Sequence, residues 1–109
     1  LLDEAQRLCQ SIGILQAGKI IAEGSLSELR KLIPAQEIIF IKTELEEQAI
    51  ARIQDRGFTY RYYGSDLAFW LPNHLELKEI LDLFEGIPID SISRQSIQLE
   101  HIYVEVLQH

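Results

Sequence analysis

The chain has 109 residues, 47% of them hydrophobic, and a formal net charge of −7 at pH 7. An acidic balance disfavours nucleic acid as a partner, because phosphate binding draws its affinity from lysine and arginine that displace counterions. The single cysteine, Cys9, excludes an internal disulfide and a cysteine-rich metal site. No apolar run reaches the roughly 20 residues needed to cross a bilayer, so the expectation is a cytoplasmic chain with no direct membrane insertion.

In chain order, Leu1, Ala5 and Leu8, with Leu2 and Cys9, space as one helical stripe. Two apolar runs then flank Ala17-Gly18, where glycine supplies the positive φ of a tight reversal. Both pleat faces of this hairpin carry bulk, Ile12, Ile14, Ile20 and Ala22 against Leu15 and Ile21. A strand pair burdened on both sides is expected to belong to a wider sheet. Gly24 releases the second strand, and Ser25 with Glu28 has the spacing of a capping box ahead of Leu29, Leu32 and Ile33. Pro34 should end that helix near Ile33.

The sequence Leu-Leu-Asp-Glu-Ala-Gln-Arg-Leu-Cys (residues 1–9) followed by Ile-Gly-Ile-Leu-Gln-Ala-Gly-Lys-Ile-Ile-Ala-Glu-Gly-Ser-Leu-Ser-Glu-Leu (residues 12–29) resembles the last segment of the ATP-binding subunit of ABC transporters. The resemblance covers Leu1 to about Ile33. It departs at Gln10-Ser11, where many members have Asp-Arg. In that family the segment follows the switch histidine of the ATPase site, which would fall immediately before Leu1. The phosphate loop, signature sequence, magnesium aspartate and catalytic glutamate all lie further upstream. The resemblance therefore implies ATP and magnesium as cofactors of the parent subunit, no cofactor in this fragment, and no catalytic residue within it. Consistent with that, the chain has no glycine-rich loop ending in lysine and serine or threonine.

Pro34-Ala35-Gln36 marks a change of composition. Residues 1–36 carry four acids and four bases, and residues 37–109 carry thirteen acids and six bases. We accordingly read residues 1–36 as the end of an ATP-binding domain with its linker, and residues 37–109 as an accessory domain. The accessory part resembles the small C-terminal extension of subunits from drug-, sodium- or polysaccharide-export systems. Its close, residues 96–107, is similar to a Ser-Leu-Glu-Asp-Val-Phe-like ending, with His101 in place of the usual acid.

Within the accessory domain, residues 37–42 are β-branched and aromatic, which predicts a strand. Thr43 and Glu46 have capping-box spacing for a helix to Arg56, with Leu45, Ala49, Ile50 and Ile53 as its buried stripe and Gly57 as its left-handed terminus. Residues 58–63 and 67–71 around Gly64-Ser65-Asp66 read as a hairpin, and Asn73 with Glu76 as the cap of a second helix carrying Leu77, Ile80, Leu81 and Phe84 up to Gly86. Pro88 admits a strand over residues 89–95. Ser96 is expected to cap a last helix over residues 97–107, with Leu99, Ile102, Tyr103 and Val106 on one side. The order β-α-β-β-α-β predicts an α+β, ferredoxin-like sandwich with a terminal helix, preceded by a helix, a β-hairpin and a short helix.

Side chains with chemistry are sparse. His74, His101 and His109 lack the i, i+3 or i+4 pairing of a helical metal site, which predicts no metal centre. Cys9 reads as a small buried hydrophobe. Glu46-Glu47 and Glu76 with Glu79 read as caps and solvated helix faces. Phe58, Tyr60 and Tyr62 share one strand face, Thr59, Arg61 and Tyr63 the other, and Phe69 and Trp70 oppose each other in the same way. Rings on an open sheet face stack on bases in RNA-binding folds, but the acidic charge argues for a protein contact. Tyr60, Tyr62, Tyr63, Trp70 and Tyr103 are thus the candidate interface residues.

The function implied is a non-catalytic C-terminal piece of an ABC-transporter ATP-binding subunit, with an accessory domain that aids subunit pairing or regulates ATP-driven transport. It would act as a homodimer, reach the membrane-spanning subunits through the parent protein, and sit at the inner face of the cell membrane. The alternative is a regulatory ferredoxin-like domain that senses a small molecule between paired subunits.

Overall fold

The computed structural model describes residues 11–107, so the expected opening helix with Cys9, and also His109, lie outside the described residues. Strands β1 (Ile12–Gln16) and β2 (Lys19–Gly24) form the predicted antiparallel hairpin. Ala17 at φ 52° and Gly18 at φ 78° both take positive φ, the mirror-image turn whose twist matches that of the flanking strands. Leu15 pairs with Ile20 but Ile14 pairs with Ala22, so Ile21 is an extra, bulged residue.

Helix α1 (Leu26–Arg30) opens with the expected capping box. Ser25 Oγ accepts from the Glu28 amide and Glu28 Oε1 accepts from the Ser25 amide, each at 3.1 Å. These bonds to Ser25 hold the Glu28 carboxyl below its ordinary pKa. Amides of Lys31, Leu32 and Ile33 then bond three residues back, which carries the winding on to Ile33 just before Pro34.

Strand β3 (Glu37–Lys42), helix α2 (Glu46–Asp55), strands β4 (Tyr60–Tyr63) and β5 (Asp66–Leu71), helix α3 (Leu77–Leu83) and strand β6 (Ser91–Ser96) follow. The four strands make one antiparallel sheet in the order β4-β5-β3-β6, the ferredoxin-like arrangement expected from the element order. Alternation puts Ile39, Ile41, Leu67, Phe69 and Leu71 on the face that packs with Ala49 and Ile53 of α2 and with Ile80, Leu83 and Phe84 of α3. Phe58 stacks on Phe69 with ring centroids 5.8 Å apart, and Phe84 meets Phe69 edge-on at 5.9 Å.

Three caps differ from the sequence expectation, and in the first the capping side chain has a partner far along the chain. Thr43 donates its hydroxyl to the Pro88 carbonyl at 2.6 Å and accepts from the Leu45 amide at 3.1 Å, so α2 starts at Glu46 with Leu45 as its N-cap. His74 reaches Glu37 and Leu75 packs on the core, which leaves Glu76 rather than Asn73 as the N-cap of α3. The last helix, α4 (Leu99–Leu107), begins after Gln98 and not at Ile97 behind Ser96.

Two compact units result, one of residues 11–34 with 97–107 and the other of residues 35–96. Their chain boundary at Pro34 lies beside the linker read from sequence, while α4 groups with the hairpin unit and not with the ferredoxin-like one. Arg30 Nη2 donates to the Ile97 carbonyl at 3.0 Å, which ties α1 to the chain entering α4. No helix among the described residues is long and apolar enough to cross a membrane.

Candidate interaction surfaces

The hairpin unit carries an apolar surface. Leu15 and Ile20, directly paired across the strands, are 55% and 59% exposed, and Ile21 and Leu32 are exposed as well. Beside them lies a groove of about 310 Å³ lined by Gln16, Ile21, Ala22, Leu32, Glu105 and Val106. Ile12 and Ile14 point to the opposite, buried side. Leu15 faces away from Ile12 and Ile14 by ordinary alternation, and the bulge at Ile21 brings Ile20 opposite Leu15, away from the Ile12 and Ile14 face on which the sequence pattern places it. Bulk on both pleat faces was already visible in the sequence; which face is uncovered was not.

The five aromatic candidates do not form one surface. Tyr60 and Tyr62 pair with Phe69 and Leu67 on the helix-covered face. Tyr60 is half-buried against the core. Tyr62, 38% exposed, donates its hydroxyl to Glu46 Oε1 at 2.7 Å, which raises the pKa of its phenol. Tyr63 and Trp70 lie on the other face. Trp70 is 6% exposed, donates Nε1–H to the Tyr63 hydroxyl at 3.0 Å and has the Arg61 guanidinium 4.6 Å from its ring centroid. Phe40 packs on Tyr63 at 5.7 Å. Tyr103 belongs to α4 in the hairpin unit, where it is exposed while His101, Ile102 and Glu105 take the buried positions. Leu99 and Ile102 of the expected stripe are buried, whereas Tyr103 is exposed and Val106 half-buried, so the buried side of α4 is turned toward two polar side chains.

Two polar constellations were not foreseen. Arg94 of β6 clamps Glu37 of β3 with Nε on Oε2 at 3.0 Å and Nη2 on Oε1 at 2.6 Å. His74 Nδ1 stands 3.1 Å from Glu37 Oε1 and 3.0 Å from Arg94 Nη2, and its Nε2 is 3.5 Å from Glu76 Oε1. The Arg94 guanidinium, and after it His74, hold the Glu37 carboxyl below its ordinary pKa. With its carboxylate neutralised and both oxygens engaged, this cluster is a fastener between strands and not a free acid or base.

The second is His101, 3% exposed, whose Nδ1 accepts from the Gln98 amide at 2.9 Å. It stands three residues into α4, where a capping-box acid would otherwise serve. Burial lowers its pKa, against a smaller opposing effect of Glu100. The acid-to-histidine departure in the closing segment was the signal for it, but its role needed the helix start to be known. Among the described residues no group of three or more His, Cys, Asp or Glu side chains is placed to hold a metal ion. The sequence matches no known family model and no curated protein.

Proposed function

We propose that this chain is the non-catalytic C-terminal part of an ABC-transporter ATP-binding subunit, a remnant of the ATP-binding domain joined to a ferredoxin-like accessory domain that serves subunit pairing or regulation. The chain then works at the cytoplasmic face of the membrane, as a homodimer, and meets the membrane-spanning subunits through the rest of its subunit. ATP and magnesium bind the parent subunit.

The observation that carries this reading is the exposed Leu15–Ile20 pair with Ile21 and Leu32 beside it. A two-stranded hairpin with contiguous apolar surface is unfavourable in water and fits a piece of a larger sheet. The resemblance of residues 1–33 to the end of an ATP-binding subunit favours the ATPase domain as the source of that sheet. The reading also expects the 109-residue chain to self-associate through the hairpin. The decisive test is the coding frame upstream of Leu1: it should encode a histidine as the preceding residue and a glycine-rich phosphate loop further back. An initiation codon there, or an unrelated upstream domain, overturns the proposal.

A further inference from the structure

His74 lies in the segment between β5 and α3 with its side chain 56% exposed, and its Nδ1 touches two groups that no single protonation state satisfies. Glu37 Oε1, 3.1 Å away, only accepts, so it needs a proton on that nitrogen. Arg94 Nη2, 3.0 Å away, only donates, so it needs the lone pair. One atom cannot serve both. The charged groups around the imidazole come from three elements: Glu37 from β3, Arg94 from β6, and Glu76 at the start of α3, whose Oε1 is 3.5 Å from Nε2.

We propose that His74 is a proton-operated clasp. When neutral it fastens the segment before α3 to Arg94 on the outer strand β6, and when protonated it transfers that hold to Glu37 on β3 and to Glu76 while repelling Arg94. The inference is independent of the parentage proposed above.

In the neutral state Nδ1 accepts from Arg94 Nη2, and the ring proton sits on Nε2 beside Glu76. A second proton sets N–H against N–H at Nδ1 and brings two positive groups within 3.0 Å of each other. Glu37 Oε1 already accepts from Arg94 Nη2 at 2.6 Å, so imidazolium and guanidinium then compete for one oxygen. Arg94 keeps its second bond, Nε to Glu37 Oε2 at 3.0 Å. The strands therefore stay joined while the fork opens to a single bond. Arg94 pairs with Ile39, which places it diagonal to Glu37 on one sheet face, and its strand has β3 as its one hydrogen-bonded neighbour in the sheet. The exposure of His74 lets water deliver the proton and keeps the effect modest.

Nuclear magnetic resonance of the nitrogen-15-labelled 109-residue chain tests this. At pH 8 the ring nitrogens of His74, identified by their loss in His74→Gln, should show Nε2 protonated and Nδ1 bare. From pH 8 to pH 5 the Arg94 Nε–H resonance, identified by its loss in Arg94→Lys, should shift with the same midpoint as the His74 ring. In His74→Gln, which keeps an acceptor for Arg94 but takes up no proton, that shift should vanish. A neutral His74 with its proton on Nδ1, two tautomers in the ratio of a free imidazole, or an Arg94 resonance that moves equally in His74→Gln overturns the clasp. None of these results touches the upstream reading-frame test.

Discussion

His101 shows how much one buried side chain can decide. Its Nδ1 accepts the Gln98 amide, so the imidazole must be neutral on that nitrogen, and burial favours the same state. A histidine whose pKa is lower in the folded than in the unfolded chain contributes stability in full above the unfolded value of about 6.5. That contribution is lost as the pH falls from there through the folded value. Urea unfolding followed by circular dichroism at pH 8 and pH 5.5 should therefore show a drop in midpoint that His101→Gln diminishes, since glutamine still offers an acceptor but takes up no proton. An equal drop in both proteins would mean that His101 is not the titrating group. Glu37 works with the opposite charge but at a lower pH: Arg94 holds its carboxyl ionised, and that stabilisation disappears only as the pH falls through the depressed carboxyl pKa.

At the scale of elements, ends are set by glycine and by capping side chains, and the two kinds of signal behave differently. Gly57 has φ 78° and receives the C-terminus of α2: its amide donates to Gln54 and that of Phe58 to Ile53. A Cβ there would meet no atom within 4 Å, so Gly57→Ala isolates the backbone cost of a left-handed residue. It should lower stability by about 1 kcal/mol in urea unfolding without altering the fold. Glycine signals of this type hold because a positive φ is a local property. A side-chain cap yields where a distant group competes: Ser25–Glu28 closes as expected, whereas Thr43 is held by Pro88. The cap of α3 also moves, from Asn73 to Glu76.

At the scale of the molecule, the ferredoxin-like unit carries its own core. Every member of the main cluster, from Ile39 through Phe69 to Ile87, lies within residues 35–96. A fragment of those residues should therefore unfold as one cooperative transition on heating, monitored by near-ultraviolet circular dichroism of Trp70 and the tyrosines. A broad transition without a near-ultraviolet signal would show that the cluster is not sufficient. Small units of this size bury a modest fraction of their surface, so the fragment should melt below the intact chain. The hairpin unit differs, since part of its apolar surface faces outward at Leu15, Ile20 and Leu32.

The order of elements from β1 to β6, the turns at Ala17-Gly18 and Gly64, and the helix stripe of Ala49 and Ile53 were legible in the sequence. Each follows from side-chain period or backbone freedom within a few residues. So was the excess of apolar bulk on the hairpin. What required the fold was every property that joins remote positions: the Glu37–Arg94–His74 fastener, the burial of Trp70 between Arg61 and Tyr63, the rotation of α4 that buries His101 and exposes Tyr103, and its membership of the first unit. Periodicity says that a face is apolar, but only the packed chain determines which surface meets it and which polar groups lose their water. Local conformational preference is written residue by residue, whereas burial and long-range hydrogen bonding belong to pairs of residues that the chain brings together only on folding.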